Sequence, residues 1–241
     1  MNDRNAILNK IRGTLGDTDQ AIKQRKDKAA GWKDRRMVVD LAPKLAAMEN
    51  PIAAFKAQAQ AVNASVHEMK AGESKAGESK AESPLANLMM KIIAANNPDY
   101  QENPPNIRIS DDPALQQYRL EVADFAPLTP ITGAPSPQDH IVITHAIAGI
   151  AETGSLVVAS GKDRPILDHF YPQSEIFILE KDQLFITIED FWEDFWQSYK
   201  NQNTQIPRVI SLVTGPSRTG DVGQKIELGA HGPLMIDIII T

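Results

Sequence analysis

Apolar residues in this chain follow two kinds of pattern: stripes at helical spacing, and unbroken strand-length runs that dominate from residue 140 onward. Near the start, Ile7, Leu8, Ile11 and Leu15 lie on one face of a short helix that Gly16 ends. Residues 17–40 are polar and irregular apart from Trp32, Val38 and Val39, so a helical and basic arm over residues 1–40 is expected to precede a domain over 41–241.

Asn50 followed by Pro51 marks a helix start. The stretch Ile52 to Ala64 places Phe55, Ala59 and Val62 on one side. Ser65 to Met69 reads as a short strand. The pentapeptide Ala-Gly-Glu-Ser-Lys then occurs twice, at 71–75 and 76–80, and is too polar to pack, so a flexible linker is expected over 71–82. Ser83-Pro84 opens a second capped helix, whose stripe is Leu85, Leu88, Met89, Ile92 and Ile93. Asn106 to Ser110 is strand-like, and Asp112-Pro113 predicts a further helix through Leu120. Pro127, Pro130, Pro135 and Pro137 predict loop.

Beyond His140 the runs Ile141 to Ile143, Ala146 to Ile150, Ser155 to Ala159, Glu175 to Glu180, Arg208 to Val213 and Leu234 to Thr241 are uninterrupted, as in strands covered on both faces. Between them, Thr187 with Asp190 caps a helix carrying Ile188, Phe191, Trp192, Phe195, Trp196 and Tyr199, a stripe expected to face the core. Helices interleaved with buried strands predict an α/β fold, a three-layer α/β/α sandwich with a mostly parallel sheet. Ligands of such folds sit beyond the carboxyl ends of the strands.

Length and composition agree with this reading. The 241 residues suffice for one sizeable core. No apolar stretch reaches the ~20 residues of a bilayer span and no signal peptide is apparent, so a cytoplasmic protein is expected. With no cysteine, the chain has neither disulfides, nor thiolate ligands for an iron–sulfur cluster, nor a Cys nucleophile. The net charge of −6 is uneven: residues 1–36 hold ten Lys/Arg against five Asp/Glu, leaving 15 against 26 in the rest. An acidic body argues against nucleic-acid binding, whereas the basic arm suits an acidic partner or a second copy of the chain, so an oligomer is compatible with the sequence. The five histidines are scattered, without metal-ligand spacing, and no metal site is expected.

Two segments carry candidate chemistry. In Ala151-Glu152-Thr153-Gly154-Ser155, a carboxylate among small residues at a strand-to-strand turn can act as base or nucleophile; equally, it can cap backbone amides while Gly154 supplies a positive φ. In Gly215-Pro216-Ser217-Arg218-Thr219, small residues and donors ahead of a short amphipathic stretch resemble an anion cradle at a helix N-terminus. Arg218 can fork onto a carboxylate or phosphate, or pair internally with Asp221 or Glu152. His231, in Gly229-Ala230-His231-Gly232-Pro233, can donate to an oxyanion or serve as a structural hydrogen-bonder. The candidate ligand-contacting set is Thr153, Gly154, Ser155, Ser217, Arg218, Thr219, Asp221 and His231, with Glu152 as candidate catalytic group. Both turns follow apolar strands and are candidates for the same sheet edge.

Together, these two segments in this order resemble the LUD-domain family, and within it the lactate utilization protein C branch. The initial Ile-Leu-x-x-Ile-Arg helix is similar to that branch as well. The resemblance implies a fold like ribose-5-phosphate isomerase and the CoA transferases. It also implies a role as a non-redox subunit beside iron–sulfur partner proteins that oxidise L-lactate to pyruvate, with the clusters in the partners and no cofactor in this chain. A stand-alone enzyme of the CoA-transferase or phosphosugar-isomerase type using Glu152, or a non-catalytic anion-sensing scaffold, are the alternatives. Two positions depart from the family pattern: Gly223 stands where an acid is common, and Glu175, after Tyr171-Pro172, where a His is common. No role is carried to either.

Overall fold

A computed structural model of the protein describes residues 50–69, 83–118, 120–202, 206–219, 227–229 and 231–241. The arm over 1–40, the linker over 71–82 and Asp221 lie outside them.

The helices start where their caps predict. Asn50 Oδ1 accepts from Ala53 N at 3.1 Å and Pro51 opens α1 (Pro51–Ala61). After β1 (Ser65–Glu68), Ser83 Oγ accepts from Ala86 N at the start of α2 (Pro84–Asn96). The predicted helix after Asp112 is instead a 3-10 helix, Pro113–Tyr118. Its buried residues, Leu115 and Tyr118, are three apart, the 3-10 period, and Asp112 Oδ1 accepts from Ala114 N.

Strands β2 (Ile107–Ile109), β3 (Ile141–His145), β4 (Ala148–Ile150), β5 (Ser155–Ala159), β6 (Ser174–Leu179) and β7 (Leu184–Phe185) precede α3 (Ile188–Gln202). β8 (Ile210–Val213), the short β9 (Arg218–Thr219) and β10 (Glu227–Leu228), and β11 (Met235–Ile240) follow. The central sheet, in order β1-β11-β6-β3-β2, is parallel throughout. One of its faces packs Ile107, Ile143, Ile176, Ile178 and Ile239 against Leu85, Met89 and Ile93 of α2. The other packs Phe177, Leu179, Ile236 and Ile238 against Phe55 and Ala59 of α1 and Leu156 of β5. Both faces are therefore apolar, which is why the runs are continuous.

A second sheet, in order β7-β4-β5-β8, was not legible from the apolar runs; its β4–β5 and β5–β8 pairs are antiparallel. It shares the α1 side of the central sheet and packs Ala148, Ile150 and Val157 against Phe191 of α3. The α3 stripe is thus only partly core. Phe191 is buried and Trp192 half-buried, but Trp196 is 43% exposed. Among the described residues, no helix is long and apolar enough to cross a membrane.

Candidate functional site

The turn between β4 and β5 is built against α1. Gly154 has φ +65°, and a Cβ there would lie 2.2 Å from Ala59 N and 2.6 Å from Gln58 C. Glu152, half-buried, turns the other way: its Oε1 accepts from Ile188 N at 3.0 Å. The same helix start carries a reciprocal capping box, with Asp190 N donating to Thr187 Oγ1 and Thr187 N to Asp190 Oδ2, both at 3.1 Å. The carboxylate therefore sits at the positive end of α3 and satisfies one of its free amides. The amide that Glu152 caps belongs to the start of α3 and not to its own turn.

Thr153 Oγ1 lies 2.8 Å from Ser155 Oγ, which lies 2.6 Å from Thr214 Oγ1. This hydroxyl chain joins the Glu152 turn to the start of the Gly215 loop. Thr214 was not singled out from the sequence; its place just ahead of Gly215-Pro216 was the available signal. Gly215, φ +68°, also presses on α1, where a Cβ would meet Val62 O at 2.4 Å. Two glycine turns thus clasp the end of one helix.

Within the loop Arg218 and Thr219 are strand, and the amphipathic stretch expected to open a helix, 220–226, lies outside the described residues. Arg218 pairs with Leu228 and Thr219 with Glu227 in a two-residue antiparallel ladder. Backbone bonds enforce this: Ser217 N donates to Pro233 O at 2.8 Å and Gly229 N to Ser217 O at 3.0 Å, folding the loop back on the start of β11. Ser217 Oγ accepts from His231 N at 3.1 Å, so those two positions meet. Arg218 and His231 are exposed, and the Arg218 side chain forms no ion pair or hydrogen bond among the described residues. Arg218 is not joined to Glu152.

Gly232 links this loop to a polar cluster that sequence reasoning missed. A Cβ on Gly232 would lie 3.2 Å from His169 O and 3.7 Å from Ser217 Cβ. His169 closes the 3-10 turn Ile166–His169, and its Nδ1 lies 2.6 Å from Oε1 of Glu175, which is fully buried on β6. Thr144 Oγ1 donates to the same oxygen at 2.9 Å, and the His169 ring stacks on Phe177. Glu175 Oε2 has no hydrogen-bond partner among the described residues. Burial raises the Glu175 pKa against the opposing pull of His169. For His169 burial works against the charged form, but the Glu175 charge and hydrogen bond overcome it and the net shift is upward.

Beside this pair, Arg108 is fully buried between two carboxylates, its Nε 2.8 Å from Asp139 Oδ2 and its terminal nitrogen on Asp168 Oδ1. Arg164 Nε reaches Asp112 Oδ2 at 2.8 Å. His145, at the carboxyl end of β3, has neither ring nitrogen hydrogen-bonded among the described residues, with Nδ1 3.7 Å from Asp112 Oδ2, and burial pushes its pKa down. Asp112, Thr144, His145, Arg164 and His169 line a narrow cleft of about 10 Å³, room for one water molecule. Arg164 also borders a wider groove of about 370 Å³ along α3. The legible signal was a charge at the middle of a buried strand: Arg108 between Ile107 and Ile109, and Glu175 ahead of Ile176.

Residues 138–241 match the family model of the LUD domain. Lactate utilization protein C of Geobacillus sp. (strain WCH70) is 26% identical over 104 residues, 43% of each chain. Lactate utilization protein C of Bacillus subtilis (strain 168) is 28% identical over the same length and shares. The uncharacterized protein YkgG of Escherichia coli (strain K12) is 27% identical over 97 residues, 40% of this chain and 42% of that one. The matches thus span less than half the length of these relatives. Among solved structures, a DUF162 family protein from Deinococcus radiodurans superposes with a TM-score of 0.52 at 17% identity, over 79% of this chain and 95% of that one, a likeness of fold. The segment that holds the Glu152 turn, the His169–Glu175 pair and the Ser217 loop, residues 138–241, thus matches the LUD-domain family model and is similar in sequence to lactate utilization protein C.

Proposed function

We propose that this chain serves lactate utilization as a non-redox subunit, holding a small carboxylate such as L-lactate or pyruvate for iron–sulfur partner proteins. The observation that carries the reading is the match of residues 138–241 to relatives named lactate utilization protein C. The geometry is in keeping with it: Arg218 stands exposed and unengaged among the described residues, beside the bonded pair Ser217 and His231. A guanidinium fork matches a carboxylate in two parallel hydrogen bonds, and the Ser217 hydroxyl retains its proton for donation while its oxygen accepts from His231 N.

Arg218→Ala is expected to weaken L-lactate or pyruvate binding by ~1.5–3 kcal/mol, the range of a charge-assisted contact, in titration calorimetry of the full chain. Unchanged affinity with an intact fold would remove Arg218 from the site. The purified chain alone is expected to leave a dye acceptor unreduced by L-lactate. Dye reduction would contradict the non-redox assignment.

A further inference from the structure

We propose that His169, held in place by the buried carboxylate of Glu175, is a proton-donating contact for the carboxylate ligand of this domain, with Glu175 as its positioning residue. The inference rests on the carboxylate-binding reading above. It begins from contiguity. Gly232 is the spacer between the His169 backbone and Ser217, and with a Cβ within 3.2 Å of His169 O no larger residue fits without parting them. The loop that carries Ser217 and His231 is therefore seated directly on the turn that carries His169.

The imidazole is pinned on two sides and borders the cleft. Its Nδ1 is committed to Glu175 Oε1 at 2.6 Å, and the ring lies nearly parallel to Phe177 at 5.8 Å between centroids. Its Nε2 has no hydrogen bond among the described residues, the side chain keeps 12% exposure, and the cleft of about 10 Å³ has room for one water-sized atom, the size of a single carboxylate oxygen. A histidine with one nitrogen fixed by a carboxylate and the other presented to a cleft has its tautomer and its direction set in advance.

Glu175 is hard to explain as a stabilising residue. Its neighbours on the same face of β6, Phe177 and Leu179, are buried and apolar, and a packed apolar side chain in its place would avoid burying a carboxylate oxygen without a partner. What the carboxylate supplies instead is a charge beside His169. The charged and titratable groups around the ring are Glu175 on β6, Asp168 on its own turn and Arg108 on β2. Asp112, His145 and Arg164 lie across the cleft, and the hydroxyl of Thr144 on β3 is also present. Their balance raises the His169 pKa, with Glu175 opposing the burial of the ring and Arg108 opposing Glu175. The imidazolium is thus kept to higher pH than in a free histidine, and Nε2–H can donate to a carboxylate oxygen.

The test uses the full chain, with pyruvate as the probe. His169 is followed by ring-carbon NMR between about pH 5 and pH 9, the span in which an imidazole changes charge. Wild type is expected to titrate above the ordinary histidine value, and Glu175→Gln to titrate lower. Pyruvate should raise the wild-type midpoint, and its affinity should fall about tenfold per pH unit above that midpoint, the limit for one obligatory proton. Should Glu175→Gln fail to fold, His169→Gln and Arg218→Ala separate the roles: the first should flatten the pH dependence, the second should lower affinity and keep the slope. Pyruvate that binds with an unmoved His169 midpoint and a pH-independent affinity overturns the inference and leaves the carboxylate reading standing. If neither pyruvate nor L-lactate binds wild type, both fall.

Discussion

Gly154→Ala tests the packing that brings the two glycine turns of the site onto α1. The alanine would have to hold φ +65°, a left-handed conformation that disfavours a Cβ by ~1–2 kcal/mol. Its Cβ would also fall 2.2 Å from Ala59 N and 2.8 Å from Ala59 Cα, which are backbone atoms of α1 and cannot rotate aside. Relief requires moving α1, whose Phe55 and Ala59 are buried between the sheets, and an overpacked core loses a further ~1–3 kcal/mol. The expected loss is about 2–5 kcal/mol, a large share of the ~5–15 kcal/mol that holds a domain folded. Gly133→Ala is the control, with φ +111° but nothing within 4 Å of the added carbon, so it carries backbone strain alone. Urea unfolding followed by Trp192 and Trp196 fluorescence compares the two. A loss for Gly154→Ala no greater than that for Gly133→Ala would refute the claim that the turn is pressed on the helix.

Arg108→Met should destabilise by ~3–5 kcal/mol in the same assay, because Asp139 and Asp168 would be left buried and unpaired; adding Asp168→Asn should recover part of it, and no recovery would place the loss elsewhere. Glu152→Ala should lower stability by ~0.5–2 kcal/mol through the lost bond to Ile188 N, with pyruvate affinity unchanged. An acyl adduct trapped on Glu152 would instead support the stand-alone transferase reading.

Helix starts were legible because caps are local: Asn50, Ser83 and the Thr187–Asp190 pair each act within three residues. The buried strands were legible because a run covered on both faces has no polar alternation to hide it. Partition of those strands into two sheets was not, since an uninterrupted run does not say which neighbour it pairs with, and β4 and β5 read like β3 and β6. Of the residues singled out from turn chemistry, Ser217 and His231 meet through a backbone amide, whereas Glu152 reaches Ile188 and Ser155 reaches the hydroxyls of Thr153 and Thr214. The His169–Glu175–Thr144 group and the Arg108 pairs join residues as much as 60 positions apart, in contacts that local spacing does not encode. In the sequence Glu175 was noted as a departure from a family pattern; the fold gives it a partner.

The passage from β3 to β4 takes only Ala146 and Ile147, and in those two residues the backbone changes sheets: Ala146 N donates to Ile178 O in one, Ile147 N to Val157 O in the other. Chain length, more than residue identity, is what this crossing constrains. One inserted residue would turn the side chains of β4 or β3 to the opposite face, and because both strands are buried on both faces each would enter a different part of the core. A five-residue segment stands twice in succession between β1 and α2, whereas beside His145 even one added residue would force the core on one side of the crossing to repack.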